Sequence, residues 1–175
     1  TGLTEGENLN AGRHSLGIIG IQTAAVGAGG SHTTDYLDLS EEYDGTDWSE
    51  GNEINTGRTY SGAGGTQTAG LLFGGTGATP NATKDLTEEY NGASWAESGD
   101  LNTARYQPGG CGTTSAGLAM GGIVTAVTDV SEEYNGTGWT EGNDLNTARR
   151  YGGSIGIQTA AVFAGGHTTG AANTT

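Results

Sequence analysis

The feature that most limits what this chain can fold into is a period. Gly-Gly pairs stand at Gly29–Gly30, Gly74–Gly75, Gly121–Gly122 and Gly165–Gly166, at spacings of 45, 47 and 44 residues. Arg13, Arg58, Arg105 and Arg149 repeat with the same spacings. Tyr43, Tyr90 and Tyr134 keep the register over the two intervals they span, as do Trp48, Trp95 and Trp139. Leu3 stands 45 residues before Trp48, in the tryptophan slot. Segments 20–30 (GIQTAAVGAGG) and 156–166 (GIQTAAVFAGG) are the same part of the first and last units. A period of this length marks an array whose units cannot bury their apolar faces alone and must stack. The chain divides into repeats at 1–48, 49–95 and 96–139, with a partial fourth at 140–175, in one repeat domain.

Each unit reads as four strands. Strand a follows the arginine, as in YGGSIGI, and strand b is the apolar run into Gly-Gly, as in AGLLFGG. Strand c carries Glu-Glu-Tyr, and strand d begins at the tryptophan. The c–d links YDGT, YNGA and YNGT hold Asp-Gly or Asn-Gly, the pairs favoured in type I′ hairpins. The a–b links GIQT and GTQT are short polar turns. No segment has a helical period. The expectation is an all-β chain of four-stranded antiparallel units, which bury both faces by stacking around an axis as blades of a β-propeller.

Gly-Gly, then Tyr, then Trp about five residues on, then Arg about ten further, resembles the kelch motif. The resemblance runs from Leu3 to Gly166, with a period slightly under the usual kelch length of about 50 residues. The wording EEYNGT-W, LNTAR and TQTAA-AGG is similar to kelch-like arrays in structural and tail-fibre proteins of bacteriophages. The resemblance implies a kelch-like propeller with about four blades in this chain. It also implies an array that continues beyond this stretch or a ring completed by another chain. The other arrangement is closure of a four-bladed ring, with an N-terminal strand d completing the last unit.

Composition narrows the function. With 6 basic and 20 acidic residues the net charge is −14, which repels nucleic acid and anionic membranes. No apolar run reaches the roughly 20 residues of a membrane-spanning helix, so no membrane insertion is expected. The single Cys111 cannot form an intrachain disulfide and reads as a small buried residue. The segment DYLDLSEEYDGTD at 35–47 carries six acidic groups, but not at EF-hand spacing. No cofactor is expected, with calcium the one ion left open. The three histidines lack a zinc spacing. The ligand set of galactose oxidase, a copper enzyme of kelch fold, is not reproduced.

Periodicity also separates scaffold from site. The arginines, Gly30, Gly75, Gly122, Gly166 and the recurrent Tyr and Trp recur in register and read as structural. The arginines should form salt bridges or carbonyl clamps. One Glu of each pair should meet an arginine, and the other should face solvent. In antiparallel units the a–b and c–d links share one face, and the d–a and b–c links share the other. The second face varies, and it holds the candidate ligand-binding residues His32, Tyr60, Lys84, Tyr106, Arg150, Tyr151 and His167. The expected function is a non-enzymatic structural or adhesion module of an extracellular or virion-surface assembly. Its expected partners are copies of itself, other assembly proteins or a cell-surface glycan. The alternatives are a kelch-fold sugar-active enzyme of oxidase, lyase or mutarotase type, and an intracellular kelch adaptor binding a peptide.

Overall fold

In the computed structural model, residues 6–78 and 82–168 are described, and among them there is no helix. Leu3 and the end of the C-terminal tail lie outside the described residues. The proposed N-terminal strand d lies outside them too.

Three four-stranded antiparallel sheets and a two-stranded hairpin follow one another along the chain. The first sheet holds Gly17–Ile21, Ala24–Ala28, Ser40–Tyr43 and Trp48–Glu50 in the order a-b-c-d. The second holds Gly62–Thr66, Ala69–Phe73, Thr87–Tyr90 and Trp95–Ser98, and the third Gly109–Thr113, Ala116–Met120, Ser131–Tyr134 and Trp139–Glu141. Of the fourth, only strands a and b, Gly153–Ile157 and Ala160–Ala164, are among the described elements. Two short pieces were not foreseen. Ser31–His32 pairs with Asp35–Tyr36, and Thr76–Gly77 pairs with both Arg58–Thr59 and Ala82–Thr83.

The sheets stack in series, each strand a packing on strand a of the next. Each interface has its own apolar cluster. Ile19, Val26, Leu72, Tyr90 and Trp95 fill the first, Leu71, Phe73, Ala119, Tyr134 and Trp139 the second, and Cys111, Leu118, Met120 and Phe163 the third. Complete burial of side chains such as these contributes roughly 1.5–3 kcal/mol each. A hydrophobic residue of each d–a link, Ile54, Leu101 or Leu145, joins its cluster. Among the described residues no strand pairing joins the fourth sheet to the first.

The Gly-Gly pair is the joint between units. Gly30, Gly75 and Gly122 donate their N–H groups to the carbonyls of Arg58, Arg105 and Arg149 in the following link, at 2.8–2.9 Å. At Gly29 the φ angle is 66°, and an added Cβ would lie 2.4 Å from the Arg58 carbonyl oxygen. Only glycine suits that close approach.

The first three recurrent arginines are both salt bridge and clamp. Arg13 reaches Glu41 at 3.1 Å, and Arg58–Glu88 and Arg105–Glu132 form equivalent buried pairs. Arg105 also donates to the carbonyls of Gly121 and Val130. In the first two pairs the second glutamate does not simply face solvent, as the strand alternation suggested. Tyr90 of the second sheet donates its hydroxyl to Glu42 of the first, and Tyr134 of the third sheet donates to Glu89 of the second at 2.6 Å. The neighbouring sheet lies where the sequence alone left open water.

The c–d turns also differ from expectation. In a type I′ turn both central residues take positive φ. Here Gly45, Gly92 and Gly136 do so, whereas Asp44, Asn91 and Asn135 do not. Instead the side-chain oxygen of each Asx residue accepts two backbone N–H groups, such as Thr46 and Asp47 on Asp44 Oδ1 at 2.8 and 3.0 Å. This is an Asx turn, in which the side chain takes over the backbone's hydrogen bonding.

Candidate functional site

Each d–a link ends in a residue two places beyond the repeat arginine, where the chain swings into strand a. In all four units that residue is left-handed: Ser15, Tyr60, Gln107 and Tyr151 have φ of 57°, 60°, 60° and 59°. None is glycine, although a left-handed conformation costs other residues roughly 1–2 kcal/mol. Tyr60 N–H donates to Ser15 O at 3.0 Å, and Gln107 N–H to Tyr60 O at 2.8 Å. Tyr151 N–H lies 3.5 Å from Gln107 O. These bonds draw the four turns into one arc.

A second repeated feature holds the surroundings. The residue just after the arginine pairs with the residue just after Gly-Gly: His14 with Ser31, Thr59 with Thr76, Tyr106 with Ile123, and Arg150 with His167. The backbone is therefore the same in every unit, while the side chains it presents differ. Variable side chains on a fixed frame are what a recognition surface requires.

The four turns line an open cleft of about 240 Å³, walled by Ser15–Leu16, Tyr60–Ser61, Gln107–Pro108 and Tyr151–Gly152. The Tyr60 and Tyr151 rings meet edge to face, with centroids 5.8 Å apart. The Arg150 guanidinium sits over the Tyr151 ring at 5.4 Å and donates to Gln107 Oε1 at 3.2 Å. His167 lies 6.1 Å from the Tyr151 ring centre. Partial desolvation pushes the Tyr151 phenol above its ordinary pKa. A hydrogen bond with Tyr60 and the nearness of Tyr60 and Tyr106 add to this, while Arg150 opposes it.

Of the residues expected from sequence, Tyr60, Arg150, Tyr151 and His167 come together, and Tyr106 stands near enough to act on Tyr151. Only Tyr60 and Tyr151 of them line the cleft itself; Arg150, His167 and Tyr106 stand beside it, and His32 and Lys84 lie elsewhere. His32 is exposed in a short hairpin of the first unit, and Lys84 leans on Gly77 in the second. Sequence reasoning passed over Ser15 and Gln107 as site residues. The signal was present in their shared offset from the repeat arginines.

His14 Nδ1 lies 3.1 Å from Ser15 Oγ, and the same nitrogen faces Ser31 Oγ at 3.4 Å. Both of these partners are serine hydroxyls, and among the described residues no carboxylate hydrogen-bonds His14 to orient it as a catalytic base. In the acidic run at 35–47, Glu41, Glu42 and Asp44 are engaged in structure. Asp44 closes its own turn, and Glu41 binds Arg13 and Asn10. Among the described residues no three His, Cys, Asp or Glu side chains are grouped to hold a metal ion. Cys111 is buried in the third interface, and burial raises its thiol pKa.

Clefts at the base of strand c recur in the first and third units around Glu41 and Glu132, and they belong to the scaffold. No protein-family model matches the chain, and no curated protein matches it.

Proposed function

We propose that the chain is a non-enzymatic, kelch-like propeller module of an extracellular or virion-surface assembly, and that it binds a cell-surface saccharide in the cleft between its four left-handed turns. One observation carries this reading: a backbone frame repeated four times delivers different side chains, two of them tyrosines, into one cleft. An aromatic ring packs against the C–H face of a sugar, while Gln107 and Ser15 in the wall offer hydrogen bonds to hydroxyls. A volume of about 240 Å³ is small for a drug-sized ligand and suits a single saccharide unit. The kelch-like pattern and the acidic, glycine-rich composition support the surface-assembly setting.

A glycan array tests it. The wild-type chain is expected to bind a subset of saccharides without turning them over, and Tyr60→Ala and Tyr151→Ala are expected to lose that binding while staying folded. A wild-type chain that binds no glycan, or tyrosine variants that bind unchanged, would sink the proposal.

A further inference from the structure

Of the four left-handed residues in the cleft wall, Gln107 is the one that carries an amide. It is only 7% exposed, yet it lines the cleft. Its backbone is pinned, with the N–H donating to Tyr60 O at 2.8 Å and the carbonyl facing Tyr151 N–H at 3.5 Å. Its side chain is pinned as well, because Arg150 Nη1 donates to Gln107 Oε1 at 3.2 Å. A guanidinium only donates, so the end of the amide that meets Arg150 is the oxygen, and the free end is the NH2 group.

That NH2 group has no protein acceptor among the described residues. The described side-chain atoms that are buried without a partner lie on Arg13, Arg58, Trp95 and Arg150. Gln107 Nε2 is therefore open rather than sealed, and the open space that Gln107 lines is the cleft. A nearly buried donor held in one orientation calls for an acceptor. A sugar hydroxyl meets that need poorly. It accepts from Nε2 but brings a proton of its own, and the neighbouring amide oxygen is already taken by Arg150. A carbonyl oxygen accepts and brings no proton.

We infer, building on the reading that the cleft binds a saccharide, that the sugar is neutral and carries an acetamido group whose carbonyl oxygen accepts from Gln107 Nε2. Leu16 and Pro108 in the wall give the acetamido methyl an apolar surface. Among the described residues the wall holds no charged side chain, and a net charge of −14 opposes a sugar carboxylate or sulfate. Gln107 is the specificity-determining residue. Arg150 is a positioning residue, which fixes the amide from behind without touching the sugar.

Amide NMR titration with N-acetylglucosamine, N-acetylgalactosamine, glucose and galactose tests it. The wild-type chain is expected to bind at least one acetamido sugar roughly tenfold more tightly than the matching hexose. Gln107→Glu exchanges the NH2 for a second acceptor oxygen at nearly constant shape, and is expected to bring that ratio down to about one. Arg150→Met frees the amide to turn and is expected to lower the ratio too, while Arg150→Lys recovers part of it. A purely structural role for Arg150 would weaken both sugars alike. Equal wild-type affinity for acetamido sugars and hexoses, or a ratio that survives Gln107→Glu, overturns the inference and leaves the saccharide site standing. Binding of none of the four sugars overturns it as well, and the glycan array then shows whether the saccharide reading falls with it.

Discussion

At the scale of single residues, the periodic letters turn out to carry bonds between units as well as within them. Tyr134 shows the consequence. Burial and its hydrogen bond to Glu89 push its phenol up to about 12 from 10.0, with Ser98 pulling the other way. A raised folded-state pKa means that the protonated phenol stabilises the fold. That contribution is complete below pH 10.0, and it declines as pH rises toward about 12, because the unfolded chain releases the proton first. Urea unfolding of the wild type should lose stability across that window, and Tyr134→Phe should show a shallower loss. The left-handed turns give a second test. At Tyr60, with φ of 60°, glycine relieves strain that alanine keeps, so Tyr60→Gly is expected to be more stable than Tyr60→Ala by about 1 kcal/mol in thermal unfolding. The reverse order would remove the strain from the account.

At the scale of elements, the four strands of each of the first three units were legible because glycine pairs, Glu-Glu-Tyr and tryptophan mark them directly in the sequence. What was not legible was the partner across each interface. The strand alternation places Glu42 on one side of strand c, but only the neighbouring sheet supplies Tyr90. The Asn-Gly pairs signalled turns correctly, yet a side-chain oxygen with two N–H partners outcompeted the two-residue hairpin geometry. The a–b glutamine makes the inter-sheet bonding measurable. Gln67→Ala removes two hydrogen bonds to the first sheet and is expected to cost about 1–3 kcal/mol in urea unfolding. Gln22→Ala, with no preceding sheet among the described residues, is expected to leave stability within about 0.5 kcal/mol of wild type. Equal costs would mean that the glutamine stabilises its own turn instead.

At the scale of the whole molecule, periodic residues build a serial stack and aperiodic ones collect on one side of it. The sequence located that side from topology, since antiparallel units send d–a and b–c links to the same face. It could not locate the cleft within it. The convergence of Ser15, Tyr60, Gln107 and Tyr151 depends on backbone bonds between links 44 to 47 residues apart. Lys84 and His32 lie on the b–c links without lining the cleft. The most direct test of a ligand site on this frame is an amide NMR titration with the saccharide that the array selects. Shifts concentrated at Ser15, Leu16, Tyr60, Ser61, Gln107, Tyr151 and Gly152 are the predicted result. Shifts concentrated in the opposite turns, at Asp44–Asp47, Asn91–Ser94 and Asn135–Gly138, would contradict it.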